Sequence, residues 1–113
     1  MKCVAYVRTS NEEHSEYYLG MQMEAIEEYI DNQDWQLSKV YQEIASGLNV
    51  GLKEVIKEAQ DGKIDVIIAA TATRFFRFYD QVTHLQELCR QHKVDIITLD
   101  NSINTVEGNW GLI

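Results

Sequence analysis

Ile64-Asp65-Val66-Ile67-Ile68-Ala69-Ala70 is the stretch on which the fold turns. Its apolar residues run almost without a break, as a strand buried on both faces of a parallel sheet requires. Just upstream, Leu52, Val55, Ile56 and Ala59 recur at helical spacing, and Asp61-Gly62 closes that short helix, Leu52 to Gln60. Downstream, Phe78 to His92 reads as a helix with Val82, Leu85, Leu88 and Cys89 turned inward, and Val94 to Leu99 as a strand. Toward the N-terminus, Lys2 to Val7 is short, apolar and rich in β-formers, so it reads as another buried strand. The polar stretch Arg8 to Ser15 follows as a loop. From Tyr17 to Gln33, Leu19, Met23, Ile26 and Ile30 mark one helix face, and Glu24, Glu27, Glu28 and Asp31 form a solvated one. Trp35 to Ile44 places apolar residues at 35, 37 and 40, a strand whose alternation slips once. The order of elements predicts an α/β fold: a doubly wound, mainly parallel four-stranded sheet with helices on both faces, flavodoxin-like in topology.

A chain of 113 residues, 45% hydrophobic and 25% charged, fits one globular domain. That domain is expected over residues 1–105. Residues 106–113 form a tail leading toward a further region, and Asn104 to Ile113 show no settled pattern. No apolar run approaches the ~20 residues that span a bilayer, and the N-terminus carries no signal segment, so no membrane partner and a cytoplasmic location are expected. Cys3 and Cys89 match no metal spacing and read as small buried hydrophobes. His84 and His92 would stand ~12 Å apart along a helix, too far to share an ion. No metal and no cofactor are expected. The net charge of −8 excludes a protein that grips nucleic acid with its whole surface, because phosphate neutralisation needs cations.

Three polar clusters follow predicted strands: Arg8-Thr9-Ser10, Glu43 to Gly47, and Thr73-Arg74-Phe75-Phe76-Arg77. In a parallel sheet all three belong to one rim, so Ser10, Arg8, Arg74 and Arg77 can converge from distant positions. Arg74 and Arg77, at i and i+3 where a helix opens, project from one side of it. Guanidiniums beside a helix N-terminus make a phosphate receptor, and a nearby hydroxyl is a nucleophile for it. On spacing alone, a turn serine and solvated arginines explain the same residues.

Tyr6-Val7-Arg8-Thr9-Ser10 resembles the Y-x-R-x-S motif of the resolvase/invertase family of serine site-specific recombinases. Leu19 to Gln22 resembles the L-x-x-Q of its first helix. Glu43-Ile44-Ala45-Ser46-Gly47 resembles its D-x-x-S-G, with Glu43 in place of the aspartate. Gly62 to Val66 resembles the run into its third strand, Arg74 to Arg77 its R-x-x-R, and Asp100 to Thr105 its D-x-x-I-x-T. The motifs keep the family's order over residues 2 to about 108.

The resemblance implies a resolvase-like catalytic domain for site-specific DNA recombination. Ser10 would attack a DNA phosphodiester, forming a 5′-phosphoserine link, while Arg8, Arg74 and Arg77 neutralise the charge on phosphorus. Gln22, Ser46 and Thr73 would touch the phosphate or orient the nucleophile. DNA, held through the full-length protein, would be the partner, in a homodimer that becomes a tetramer on synapsis. Tyr6 reads as a packed ring with an anchored hydroxyl, and Phe75, Phe76 and Phe78 as core or dimer packing.

Three departures stand out. The family's mobile loop after S-G carries an arginine, yet Ser46-Gly47-Leu48-Asn49-Val50 runs directly into Gly51-Leu52 with none. Either the group is lost, or a mobile loop is left out of the sequence. Thr73 stands where many relatives have aspartate, and the chain stops near the start of the family's long dimer helix. One rival reading is therefore a catalytically impaired homologue that regulates recombination. Another, a flavin or nucleotide module, lacks a glycine-rich loop after the first strand.

Overall fold

The computed structural model describes residues 1–9, 13–44, 50–71 and 79–109, with side chains outside 50–53 and 79–85. Chain order is β1 (Lys2–Thr9), α1 (Ser15–Gln33), β2 (Gln36–Ile44), α2 (Val50–Gln60), β3 (Val66–Ala69), α3 (Tyr79–His92) and β4 (Asp95–Thr98), then a 3-10 turn at Thr105–Glu107. The strands form one sheet in the order β2-β1-β3-β4, and every pairing is parallel.

Alternation within each strand builds two cores. Val4 and Tyr6 of β1, Ile67 and Ala69 of β3 and Ile96 of β4 pack with Val55 and Ala59 of α2 and Cys89 of α3. Cys3, Ala5, Val7, Val66, Ile68 and Ile97 face the other way, onto Leu19, Ile26 and Ile30 of α1. Both faces are thus covered, which is why the runs in β1 and β3 are apolar at consecutive positions. Each fully buried Ile or Val contributes roughly 1.5–3 kcal/mol over an exposed one.

The irregularity expected in the second strand is real. Register against β1 shifts between Cys3 and Val4, so that Leu37 and Lys39 face consecutive β1 residues. Ser38, the extra residue, donates its hydroxyl to the Cys3 carbonyl at 3.2 Å. The run Gly62 to Val66 also has a structural reason. Gly62 takes a left-handed φ of 74° as α2 ends, and Lys63 N–H reaches back to the Glu58 carbonyl at 3.2 Å. Asp65 then accepts the Lys2 N–H on its carboxylate at 2.8 Å, tying the start of β1 to the entry of β3.

Two boundaries differ from the sequence reading. β1 continues through Arg8 and Thr9, because β2 runs beside it to the pairs Arg8↔Glu43 and Thr9↔Ile44. Backbone pairing holds a polar residue in a strand where hydropathy alone ends it. The start of the tail is also ordered. Residues 103–105 fold back antiparallel along β4, with Ile97 bridging Asn104. Ile103 is buried, and the Thr105 hydroxyl accepts the Ile96 N–H at 2.8 Å.

Candidate functional site

All four strands point the same way, so the chain leaves each of them at one rim. β1 passes through α1 to β2 on one side, while β3 lies on the other. The gap between β1 and β3 is therefore the topological switch point, where α/β sheets of this kind place their ligands.

Arg8, the next-to-last residue of β1, stands at that gap and is half-buried. Its main chain is held by Gln22 of α1. The Gln22 Oε1 accepts the Arg8 N–H at 3.1 Å, and its Nε2 donates to the Arg8 carbonyl at 2.9 Å. Gln22 is only 6% exposed, on the same helix face as Leu19 and Ile26. Beside Arg8, the fully buried Tyr6 donates its hydroxyl to the Glu43 carboxylate on the neighbouring strand. Burial first, and then this hydrogen bond, push the Tyr6 phenol well above its usual range, while the Arg8 charge acts in the opposite direction. The tyrosine is thus an anchored, protonated ring and not an acid–base group at neutral pH.

At the far end of the rim, the segment after β4 forms its own hydrogen-bonded corner. The Asp100 carboxylate accepts from the Ser102 N–H at 3.1 Å and the Ser102 hydroxyl at 2.7 Å. Thr98 Oγ1 accepts the Ile103 N–H at 2.9 Å. The Thr105 hydroxyl donates to Asp95 at 2.7 Å while accepting from Ile96. Burial works to raise the Asp100 pKa, but bonds from Ser102 and Thr98 outweigh it and leave the carboxyl below its usual value. Asp100, Ser102 and Thr105 thus each have a structural task in tying this segment to itself and to β4.

Of the residues singled out in the sequence, Arg8 and Gln22 come together. Ser10, Ser46, Thr73, Arg74 and Arg77 lie outside the described residues, as do Phe75, Phe76 and Phe78. Ser10 follows Thr9, the last residue of β1, and Ser46 comes two residues after Ile44, the last of β2. The Tyr6–Glu43 bond was foreshadowed only by an anchored tyrosine. The signal for its partner was the acidic residue that opens the motif Glu43 to Gly47, and the structure places it within β2. Among the described residues, no group of His, Cys, Asp and Glu is placed to hold a metal, and no helix is long and apolar enough to cross a membrane.

The sequence profile of the resolvase N-terminal domain matches residues 3–112, nearly the whole chain. The chain belongs to the resolvase family. No curated protein matches it by sequence. Among solved structures, this resolvase domain is similar to the C-terminal catalytic domain of ISC1926 TnpA, an IS607-like serine recombinase. That pair has a TM-score of 0.79 at 26% identity, over 88% of this chain and 70% of the other. It also resembles the N-terminal catalytic domain of TP901-1 integrase, with a TM-score of 0.82 at 22% identity over 96% and 85% of the two chains. A resolvase family site-specific recombinase from Streptococcus pneumoniae gives 0.85 at 17% identity over 95% and 77%. The last two bear on the fold alone. They share the arrangement that puts the β1 end of this domain at the switch point.

Proposed function

We propose that this resolvase domain performs site-specific DNA recombination with Ser10 as its nucleophile. The observation that carries the reading is Arg8, held by Gln22 at the switch point within Tyr6-Val7-Arg8-Thr9-Ser10. The Ser10 oxygen attacks phosphorus in line, and the bond from phosphorus to the 3′ oxygen breaks. The serine proton leaves to a base, and the 3′ oxygen takes up a proton to become a hydroxyl. The 5′ phosphate stays on Ser10 as an ester, so its energy is kept for rejoining. Arg8, Arg74 and Arg77 neutralise the charge that builds on the phosphoryl oxygens, each worth on the order of a hundredfold in rate.

With a net charge of −8, the domain draws its affinity for DNA from elsewhere, through a further region beyond residues 106–113 and through assembly into a dimer and tetramer. The test uses a nicked duplex carrying the joined ends of the genetic element that encodes the chain. In the full-length protein the wild type leaves a denaturation-resistant protein–DNA adduct, and Ser10→Ala leaves none at an unchanged melting temperature. An adduct of equal yield in the alanine variant overturns the assignment.

The segment Ser46 to Leu52, which contains no arginine, favours a second reading: an impaired homologue that keeps the fold and regulates recombination. Absence of any adduct in the wild type, with the fold intact, selects that reading.

A further inference from the structure

β1 and β3 pair only from Cys3 to Ala5, the last contact being Ala5↔Ile68. Beyond it β1 continues to Thr9 with β2 alone on its other edge. Successive residues of a parallel strand turn their N–H and C=O to alternate sides. In β1 the even residues face β3, as the Lys2 carbonyl accepting from Asp65 N–H at 2.9 Å demonstrates. The odd ones face β2, where the Cys3 carbonyl accepts from Ser38. Arg8 is even. Its peptide groups therefore face the side where β3 has already ended. Left there without partners they would each cost about 1–3 kcal/mol.

The Gln22 side chain supplies what the missing strand would have supplied. Its primary amide presents a donor and an acceptor side by side, as a neighbouring strand does, and both bond Arg8, at 2.9 and 3.1 Å. At 6% exposure, the amide has little surface left for a substrate.

We infer that Gln22 is a positioning residue, a one-residue splint across the fork between β1 and β3 that fixes the Arg8 main chain and, through it, Ser10. The inference rests on the recombinase reading for its consequence, but its geometry stands apart from it. Ser10 is two residues along the sequence, directly after the last residue of β1. A swing of the Arg8 peptide displaces both the guanidinium and the nucleophile, and a misplacement of about 1 Å costs on the order of a hundredfold in rate. A direct phosphate contact by Gln22 would instead weaken DNA binding.

The experiment compares Gln22→Met, which loses both bonds at similar volume, with Gln22→Glu, which keeps an acceptor for the Arg8 N–H. Amide hydrogen exchange is followed without DNA, with Ala5 inside the sheet as the folding control. In Gln22→Met the Arg8 amide exchanges at least about tenfold faster while Ala5 stays protected. In Gln22→Glu the Arg8 amide keeps its protection. On the nicked duplex, Gln22→Met forms adduct on the order of a hundredfold more slowly at saturating DNA, with apparent DNA affinity unchanged. Gln22→Glu falls between it and the wild type. Unchanged Arg8 exchange in Gln22→Met overturns the splint. So does a loss of DNA affinity with a wild-type rate at saturation. Should Gln22→Met fail to fold, faster Arg8 exchange in Gln22→Glu overturns it as well. An adduct that persists in Ser10→Ala removes the recombinase reading and leaves the exchange result standing.

Discussion

The two ends of one rim are finished in opposite ways. After β4, Thr98, Asp100, Ser102, Ile103 and Thr105 bond to one another and to β4 itself, closing a local circuit within a dozen residues of chain. After β1, the bonds reach across elements: Tyr6 to Glu43 on β2, and Arg8 to Gln22 on α1. The difference separates two kinds of motif that look alike in sequence. A polar cluster that satisfies itself locally terminates an element. One pinned by two other elements holds a main chain at a set place.

That contrast is open to direct attack. Arg8→Ala should have the largest effect, a loss of adduct formation on the order of a hundredfold or more at nearly unchanged stability. Quench-flow on the nicked duplex together with a thermal melt measures both, and a rate within a few-fold of wild type would remove Arg8 from the chemistry. Thr105→Val should do the reverse. It leaves the Ile96 N–H unpaired in the core and costs about 1–3 kcal/mol, seen as a fall in urea midpoint, with the adduct rate of the folded protein unaltered. A slower rate at full stability would make the β4 corner part of the site.

Tyr6→Phe comes next, at about 1 kcal/mol, and it has a pH signature. The Tyr6 phenol is raised in the fold and ionises near pH 10 in the unfolded chain. Its contribution is therefore full below about pH 10 and is lost as pH rises toward the folded value. Burial pushes the Cys89 thiol up to about 12, which adds a decline starting near pH 9. Urea melts from pH 8 to 11 should show a stability loss that is shallower in Tyr6→Phe. An equal slope in the two proteins would contradict the anchored phenol.

The smallest effect belongs to Asp100. Its carboxyl is held low in the fold, so its contribution is present above the unfolded pKa and disappears as pH falls through the folded one. For so exposed a group the size is well under about 1 kcal/mol. Acid melts of Asp100→Asn should show a slightly flatter limb between pH 5 and 3, in line with ordinary carboxylate values. A steeper limb would speak against the corner.

Much of the fold was legible because burial on both faces leaves a plain trace. Val66 to Ala69 is apolar at every position, and the α1 stripe at Leu19, Ile26 and Ile30 is one side of a cylinder. Even the slip at Ser38 was visible, as a gap in alternation. Two features were not. Gln22 is buried on an apolar face, and hydropathy assigns such a residue to solvent unless its partner is known, here a backbone fourteen residues away. Asn104 and Thr105 are polar and followed the last expected strand, so nothing in their composition announced that they would cover an edge. Arg8 and Gln22 were named from the family motifs, and the structure brings them into contact. The hydroxyl and the paired arginines of the remaining motifs fall outside the described residues, and their roles rest on the resemblance.

One consequence follows from the fold-back beside β4. With residues 103–105 laid along that margin, the sheet cannot grow on that side, and among the described residues its remaining open border is β2. An open border is where foreign strands attach. Here it carries the Ser38 bulge and the exposed Lys39, two devices that discourage attachment. The domain thus guards its two margins differently, with its own chain on one and with charge and distortion on the other. Replacing Lys39 by an apolar β-former removes one of these two devices and leaves the bulge to guard the β2 margin alone.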